Sequence, residues 1–336
     1  MPPIAGPRGG MSTMRALLKT LGLLLALGAL APGHALAQSW PSRSIRLVVP
    51  FSPGAGTDAL SRILATRLSD SLGQPVVVDN RPGAGGTIGT EIVAKAAGDG
   101  YTLLFAPAAH AINPSIYPKL GYDTEKDFVP ISIAASLPVV MAVEASVPAR
   151  SVAELVALAK TSPGKLTMAS AGNGTVFHLT GEMFKGAAGI DIVHVPYKGG
   201  APAMAALVGG QVTMAFETSL TVSPHIKSGK LRGLAVASPA RIAILPEVPT
   251  LAQAGYPGIL SENWYGLYAP AGTPKEVVAR IYADLAKAIA DPEIRQKFAL
   301  QGAETRELNP EQSAEFVRAE IAKWARVVKA SGAKID

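Results

Sequence analysis

Four short stretches combine glycine with hydroxyl side chains just ahead of helix-forming runs. They are Ser52-Pro53-Gly54-Ala55-Gly56 with Thr57 and Asp58, Gly83-Ala84-Gly85-Gly86 with Thr87, Ser170-Ala171-Gly172-Asn173-Gly174 with Thr175, and Lys198-Gly199-Gly200 with Ala201. Glycine lets backbone N–H groups come close to a ligand, and the helix start behind it offers unpaired donors and a positive dipole end. That chemistry suits a carboxylate or phosphate and needs no buried arginine. Each helix start contributes about 0.3–1 kcal/mol, rising to about 2 in sheltered geometry. Several converging starts can hold a small dianion at micromolar strength, about −8 kcal/mol. One such loop is an ordinary strand-to-helix connection; four of them argue for a binding surface.

Other reactive side chains read less sharply. Ser170 and His178 are a nucleophile and a base by type, but Met168-Ala169-Ser170-Ala171-Gly172 is not G-x-S-x-G, so they read as a loop donor and a packed histidine. His194 sits in an apolar strand and reads as core. His110 stands at a strand end, where it either meets the ligand or packs between parts of the fold. Lys198 is a solvated loop cation or a charge at the cleft. Asp58 caps a helix or holds the loop beside it, and Trp264 packs at a hinge or cleft wall. Gly83-x-Gly85-x-x-x-Gly89 has the wrong third spacing for a dinucleotide fingerprint.

Composition removes whole classes of function. The 336 residues contain no cysteine, which excludes a thiolate nucleophile, a disulfide scaffold and a cysteine zinc site. Five scattered histidines without H-E-x-x-H do not make a metal enzyme, and no cofactor is expected. The net charge of +6 includes Arg8, Arg15 and Lys19 in the first 37 residues, which hold no acid; without them 28 bases face 25 acids, or +3. No nucleic-acid partner follows from that.

Residues 1–37 read as a secretory signal peptide. Arg15 and Lys19 precede the apolar run Leu21 to Ala31, Pro32-Gly33 breaks it, and Ala35-Leu36-Ala37 supplies the A-x-A site. The run is well short of the ~20 residues a span needs. Cleavage near Ala37 gives an exported protein, periplasmic in a Gram-negative cell. Met1, Met11 and Met14 are all candidate starts.

The loops need elements to hold them. Ile45 to Phe51, Val76 to Val78 and Thr102 to Ala106 read as strands, with helices from Thr57 and over Thr87 to Ala97 between them. The theme repeats with strands at Leu166 to Ala169, Ile192 to Val195, Val212 to Phe216 and Leu234 to Ala237, and helices at Ser151 to Lys160, from Val176 and over Ala201 to Val208. The tail is helical over Pro274 to Ala290, Asp291 to Leu300 and Pro310 to Lys329. Alternation of this kind predicts an α/β fold with parallel strands. Two such blocks without a flexible linker predict two lobes, crossed by Val129 to Val143 and the stretch around Trp264 to Ala269. Ligands in such sheets sit outside the carboxyl ends of the strands.

Several motifs resemble the substrate-binding proteins of tripartite tricarboxylate transporters, the Bug or TctC family. They are Arg46-Leu47-Val48-Val49-Pro50-Phe51 with Gly54-x-Gly56-x-Asp58, Val78-Asp79-Asn80-Arg81-Pro82-Gly83, Ala111-Ile112-Asn113-Pro114, Ser170 to Gly174 with His178, Val195-Pro196-Tyr197-Lys198-Gly199, Pro246-x-Val248-Pro249-Thr250, and Trp264-Tyr265-Gly266 with Ala269 to Pro274. The resemblance runs the length of the mature chain. It implies a two-lobed Venus flytrap of the periplasmic binding protein type II kind, with lobe 1 over 38–135 and 263–336 and lobe 2 over 136–262. It also implies capture of a small carboxylate (a di- or tricarboxylate, an acidic amino acid or an aromatic acid) and delivery to the membrane permease of a tripartite tricarboxylate transporter. A sensor kinase is the other partner left open. By the resemblance, Phe51, Ser52, Gly54, Ala55, Gly56, Thr57 and Asp58 with Ala108 and His110 clasp one carboxylate. Ser170, Gly172, Asn173, Gly174 and Thr175 close from the other lobe with Tyr197, Lys198, Gly199 and Glu217. Two departures fall here: Ala55 replaces a common glycine, and Phe216-Glu217-Thr218 stands where Phe-Asp-Asn is usual.

Two enzyme readings compete with a non-catalytic receptor: an exported α/β hydrolase using Ser170, and a dinucleotide enzyme using the Gly83 loop. Neither has an identifiable acid–base set, whereas binding needs only what is present.

Overall fold

Branched apolar runs that end in proline or glycine become short strands, and the amphipathic runs behind them become covering helices. A computed structural model describes residues 2–3, 40–54, 56–331 and 333. The signal-peptide reading and Ala55 lie outside the described residues. The first block is β1 (Ile45–Val49), α1 (Gly56–Leu72), β2 (Val76–Asn80), α2 (Thr87–Ala94), β3 (Thr102–Pro107) and α3 (Ala109–Ile116). In it β1 lies between β2 and β3, all parallel. The long β4 (Phe128–Glu144) follows. The second block is α4 (Val152–Thr161), β5 (Thr167–Ser170), α5 (Val176–Ala188), β6 (Val193–Pro196), α6 (Gly200–Val208), β7 (Met214–Thr218), α7 (Ser219–Lys227) and β8 (Leu231–Val236). Here β5 lies between β6 and β7, again all parallel. The chain ends with β9 (Glu262–Pro270), α8 (Lys275–Ala290), α9 (Pro292–Leu300), β10 (Glu304–Thr305) and α10 (Pro310–Ser331).

Parallel strands need crossover helices, so every carboxyl end in a block faces the same way. The strand order is β2-β1-β3-β9-β4-β7-β5-β6, with β8 and β10 also pairing with β4. The two parallel sets are therefore joined through the antiparallel pair β9 and β4. Along β4, Phe128 to Pro138 pair with β9, and Val139 to Val143 pair with β7. Pro138 stands where the partner changes, a position at which its missing N–H costs the ladder little. Among the described residues no helix is long and apolar enough to cross a membrane.

The expected elements are present, with ends displaced by a few residues. Two helices were not expected. The Ala109–Ile116 helix contains Pro114 and the Ser219–Lys227 helix contains Pro224, a residue that disfavours a helix interior. Trp264 also differs from expectation. It is fully buried toward α10, away from any cleft, and its indole Nε1 donates to Glu320 Oε2 at 2.8 Å. Trp324 Nε1 donates to the same oxygen at 2.9 Å. One carboxylate thus ties the crossing strand β9 to the last helix.

Replacing that carboxylate leaves two buried indole donors unpaired, each costing about 1–3 kcal/mol. Glu320→Leu should lower unfolding free energy by about 2–4 kcal/mol. Urea titration should show a lower midpoint at unchanged slope; a shift below about 0.5 kcal/mol would show that the indoles find other partners.

Candidate functional site

The carboxyl ends of both parallel sets open onto one cleft with two chambers. The inner chamber is lined by Phe51, Gly56, Thr57, Pro107, Ala109, Ala171, Thr175, Val176, Phe177, Gly200, Glu217, Thr218, Asn263 and Tyr265. These residues include the first turns or caps of α1, α3, α5, α6 and α7, so five helix starts meet there. The outer chamber, about 260 Å³, is lined by Phe51, Gly83 to Gly86, Tyr117, Ala171, Gly172, Asn173, Pro196, Tyr197 and Lys198. Phe51 and Ala171 belong to both.

Local sequence explains how each start is presented. Thr175 and Thr218 cap α5 and α7, their hydroxyls accepting from the N–H groups of His178 and Thr221. Gly172 has φ 130°, a backbone conformation that L side chains rarely adopt. Gly56 is constrained by space, since an added Cβ would lie 2.9 Å from the Tyr265 hydroxyl. The two sides of the cleft touch directly. Ser52 Oγ donates to the Lys198 carbonyl at 2.6 Å, and the Tyr117 hydroxyl donates to the Asn173 carbonyl at 3.4 Å.

The structure sorts the residues that the sequence singled out. Phe51, Gly56, Thr57, Thr175 and Glu217 line the inner chamber; Gly172, Asn173, Tyr197 and Lys198 line the outer one. Gly54, Ser52 and Gly199 lie at the seam: Ala201 stands 3.9 Å from a Cβ built on Gly54, and Ser52 stands 3.4 Å from one on Gly199. Several of their N–H groups are already engaged. Gly54 donates to Asp58, Gly172 to Ser170 Oγ and Gly174 to His178 Nδ1. The donors left for a ligand are those of the helix first turns.

Four residues expected at the site serve it from behind or lie apart. Asp58 is buried beside the Gly54 turn. Burial opposes its ionisation, but bonds from Arg62, the Gly54 N–H and Asn80 outweigh that and hold its carboxyl below the usual range. Ser170 is fully buried, donates to the Gly172 carbonyl and contacts His194 Nε2 at 2.7 Å. Ala108 is buried ahead of α3. His110 is a correction: it lines neither chamber and is caged by Tyr122, Phe128 and Tyr268. Conversely, Asn263 and Tyr265 line the inner chamber although neither was singled out. Their spacing of two on β9 was the available signal, because alternate strand residues share a face.

The Ser170–His194 contact has a nucleophile's geometry without its electronics. Burial and the neighbouring His178, stacked with ring centroids 4.0 Å apart, push the His194 pKa down to about 3. A base that weak does not remove a serine proton near neutral pH.

A two-lobed α/β fold with helix starts converging on an interlobe cleft defines a periplasmic solute-binding protein. Residues 60–333 match the model of the tripartite tricarboxylate transporter family receptor, and the chain belongs to that family. Protein BugT of Bordetella pertussis is 39% identical over 324 residues, 96% of this chain and 99% of its own. A Rhodopseudomonas palustris protein solved with adipate is 38% identical, with a TM-score of 0.85 over 88% of this chain and all of its own. MatC from Rhodopseudomonas palustris, with bound malate, is 32% identical, with a TM-score of 0.83 over 86% of this chain and all of its own.

The buried histidines make the fold acid-sensitive. Burial lowers the pKa of His110 to about 3, and lowers that of His178 as well. Above pH 6.5 these rings are neutral in both folded and unfolded chains. As pH falls below 6.5 the unfolded chain takes up protons that the fold refuses, so stability drops until the folded-state values are reached, near pH 3 for His110. Each ring contributes up to about 1.4 kcal/mol per pH unit. Tm should fall between pH 6.5 and 4, and His110→Phe should flatten that fall measurably in scanning calorimetry. An equally steep fall in the variant would exclude His110 as a source.

Proposed function

We propose that the protein captures a small organic carboxylate in this cleft, without catalysis, and delivers it to the permease of a tripartite tricarboxylate transporter. The observation that carries the reading is the convergence of five helix starts on a chamber whose described lining contains no lysine, arginine or histidine. Such a site recognises an anion through backbone N–H groups. The relatives solved with adipate and malate point to the same ligand class. We divide the lobes at 38–135 with 263–336, and 136–262, and assign export to a leader cleaved near Ala37. The residues assigned to ligand contact are those lining the two chambers, with Ser52 and Gly199 at the seam and Asp58 and Ser170 shaping the loops. A hydrolase built on Ser170 is disfavoured by the weak basicity of His194.

A mono- or dicarboxylate at a hundredfold excess over its dissociation constant should stabilise the fold by about 2.7 kcal/mol, raising Tm by about 5 °C. It should also compact the protein in solution scattering. A broad acid panel with no thermal shift would overturn the reading.

Two substitutions separate backbone recognition from charge pairing. Ala171→Leu fills space common to both chambers and should abolish binding in calorimetric titration. Lys198→Met removes an exposed charge from the outer chamber and should cost less than about tenfold in affinity, about 1 kcal/mol. The reverse result would place an ion pair, not the helix starts, at the centre of recognition.

A further inference from the structure

Among the residues lining the inner chamber, Glu217 does not fit a plain anion site. It is 3% exposed at the end of β7. Its Oε1 accepts the Thr218 N–H at 2.8 Å, while Oε2 is shielded from solvent and has no hydrogen-bond partner among the described residues. A carboxyl oxygen left unpaired inside a protein is costly unless a ligand completes it.

Among the described residues no cation lines the chamber to do so. The β4 stretch beside it, Val139 to Val143, carries no titratable group, and neither β5 nor α6 contains one. From β9 the facing groups are Asn263, whose amide donates to the Tyr265 hydroxyl at 2.7 Å, and Tyr265 itself, which also bonds Thr57. In the first turn of α5, His178 is neutral and stacked on His194, and the Asp58 carboxylate on α1 is occupied by Arg62 and Asn80. A second carboxylate brought against Oε2 would meet like charge in a sheltered site. A hydroxyl or ammonium would meet an acceptor with nothing else to bind.

We propose that Glu217 selects carboxylic acids bearing a hydrogen-bond donor, a hydroxyl or an ammonium, on the carbon chain. The ligand's carboxylate takes the helix starts and its donor takes Glu217 Oε2. This rests on the carboxylate-receptor reading above and narrows its ligand class to hydroxy and amino acids. Burial raises the Glu217 pKa to about 7, so near neutrality the empty site holds the acid and the carboxylate in comparable amounts, and an incoming donor draws it to the carboxylate.

The test is calorimetric titration with matched acids: succinate, malate and aspartate, then glutarate, 2-hydroxyglutarate and glutamate. In the wild type the donor-bearing members should bind about 10- to 100-fold tighter than the unsubstituted acid, the range of a hydrogen bond to a charged group. In Glu217→Leu that ratio should fall below about threefold. Should Glu217→Leu not fold, Glu217→Gln keeps an oxygen for the Thr218 N–H and should lose the preference for ammonium ligands. Acids that bind without donor preference, or with a preference unchanged in the variants, would overturn the role of Glu217 and leave the carboxylate receptor standing. Binding of no acid at all would overturn both.

Discussion

A helix start carries N–H groups that the helix itself cannot satisfy, and in this protein five such starts point into one small chamber. That constraint governs much of the architecture. Their N–H dipoles have to be met by an anion or by water, even though the walls include Phe51, Val176 and Phe177. The parallel arrangement of each strand set follows from the same requirement, since only parallel strands deliver successive helix starts to one edge. The turn residues follow too. Gly172 holds a backbone angle of φ 130°, and the two threonine caps spend their hydroxyls on the first turns and leave the remaining donors free.

Support for the chamber comes from interactions that never reach the ligand. Asp58 gathers the Gly54 N–H, Arg62 and Asn80, which fixes the first turn against β2. Ser170 ties its own loop to His194 on the neighbouring strand. Glu320 binds two indoles and anchors β9, the strand whose other face presents Asn263 and Tyr265 to the cleft. Recognition by backbone requires such rigidity, because a displaced peptide group cannot be replaced by a side-chain rotamer.

The glycine-rich loops and the strands before them were legible in the sequence because strand, turn chemistry and helix onset coincide within a few residues. The family motifs were legible for the same reason. What stayed hidden was long-range or contradicted local cues. The helices containing Pro114 and Pro224 were not expected, because proline inside a helix removes a backbone donor. The chamber's far wall, Asn263 and Tyr265, lies on a strand that reaches the site only through its pairing with β3 and β4. Ser170 and His178 read as a loop donor and a packed histidine, but the contact of Ser170 with His194 across two paired strands, and the stacking of His178 on that ring, had no local cue. His110 misled because a strand end near a cleft can turn a side chain inward or outward, and here the aromatic residues of three other segments draw it in.

Two hydrogen bonds join the cleft's sides, the Ser52 hydroxyl on the Lys198 carbonyl and the Tyr117 hydroxyl on the Asn173 carbonyl. Both bonds end on backbone carbonyls, so they form whether or not the chamber is filled. Any empty molecule that these bonds hold shut is withdrawn from binding. Apparent affinity then depends on the fraction of molecules standing open as well as on contacts with the ligand. Changes at Ser52 or Tyr117 can tune the receptor's working concentration range while its selectivity stays fixed.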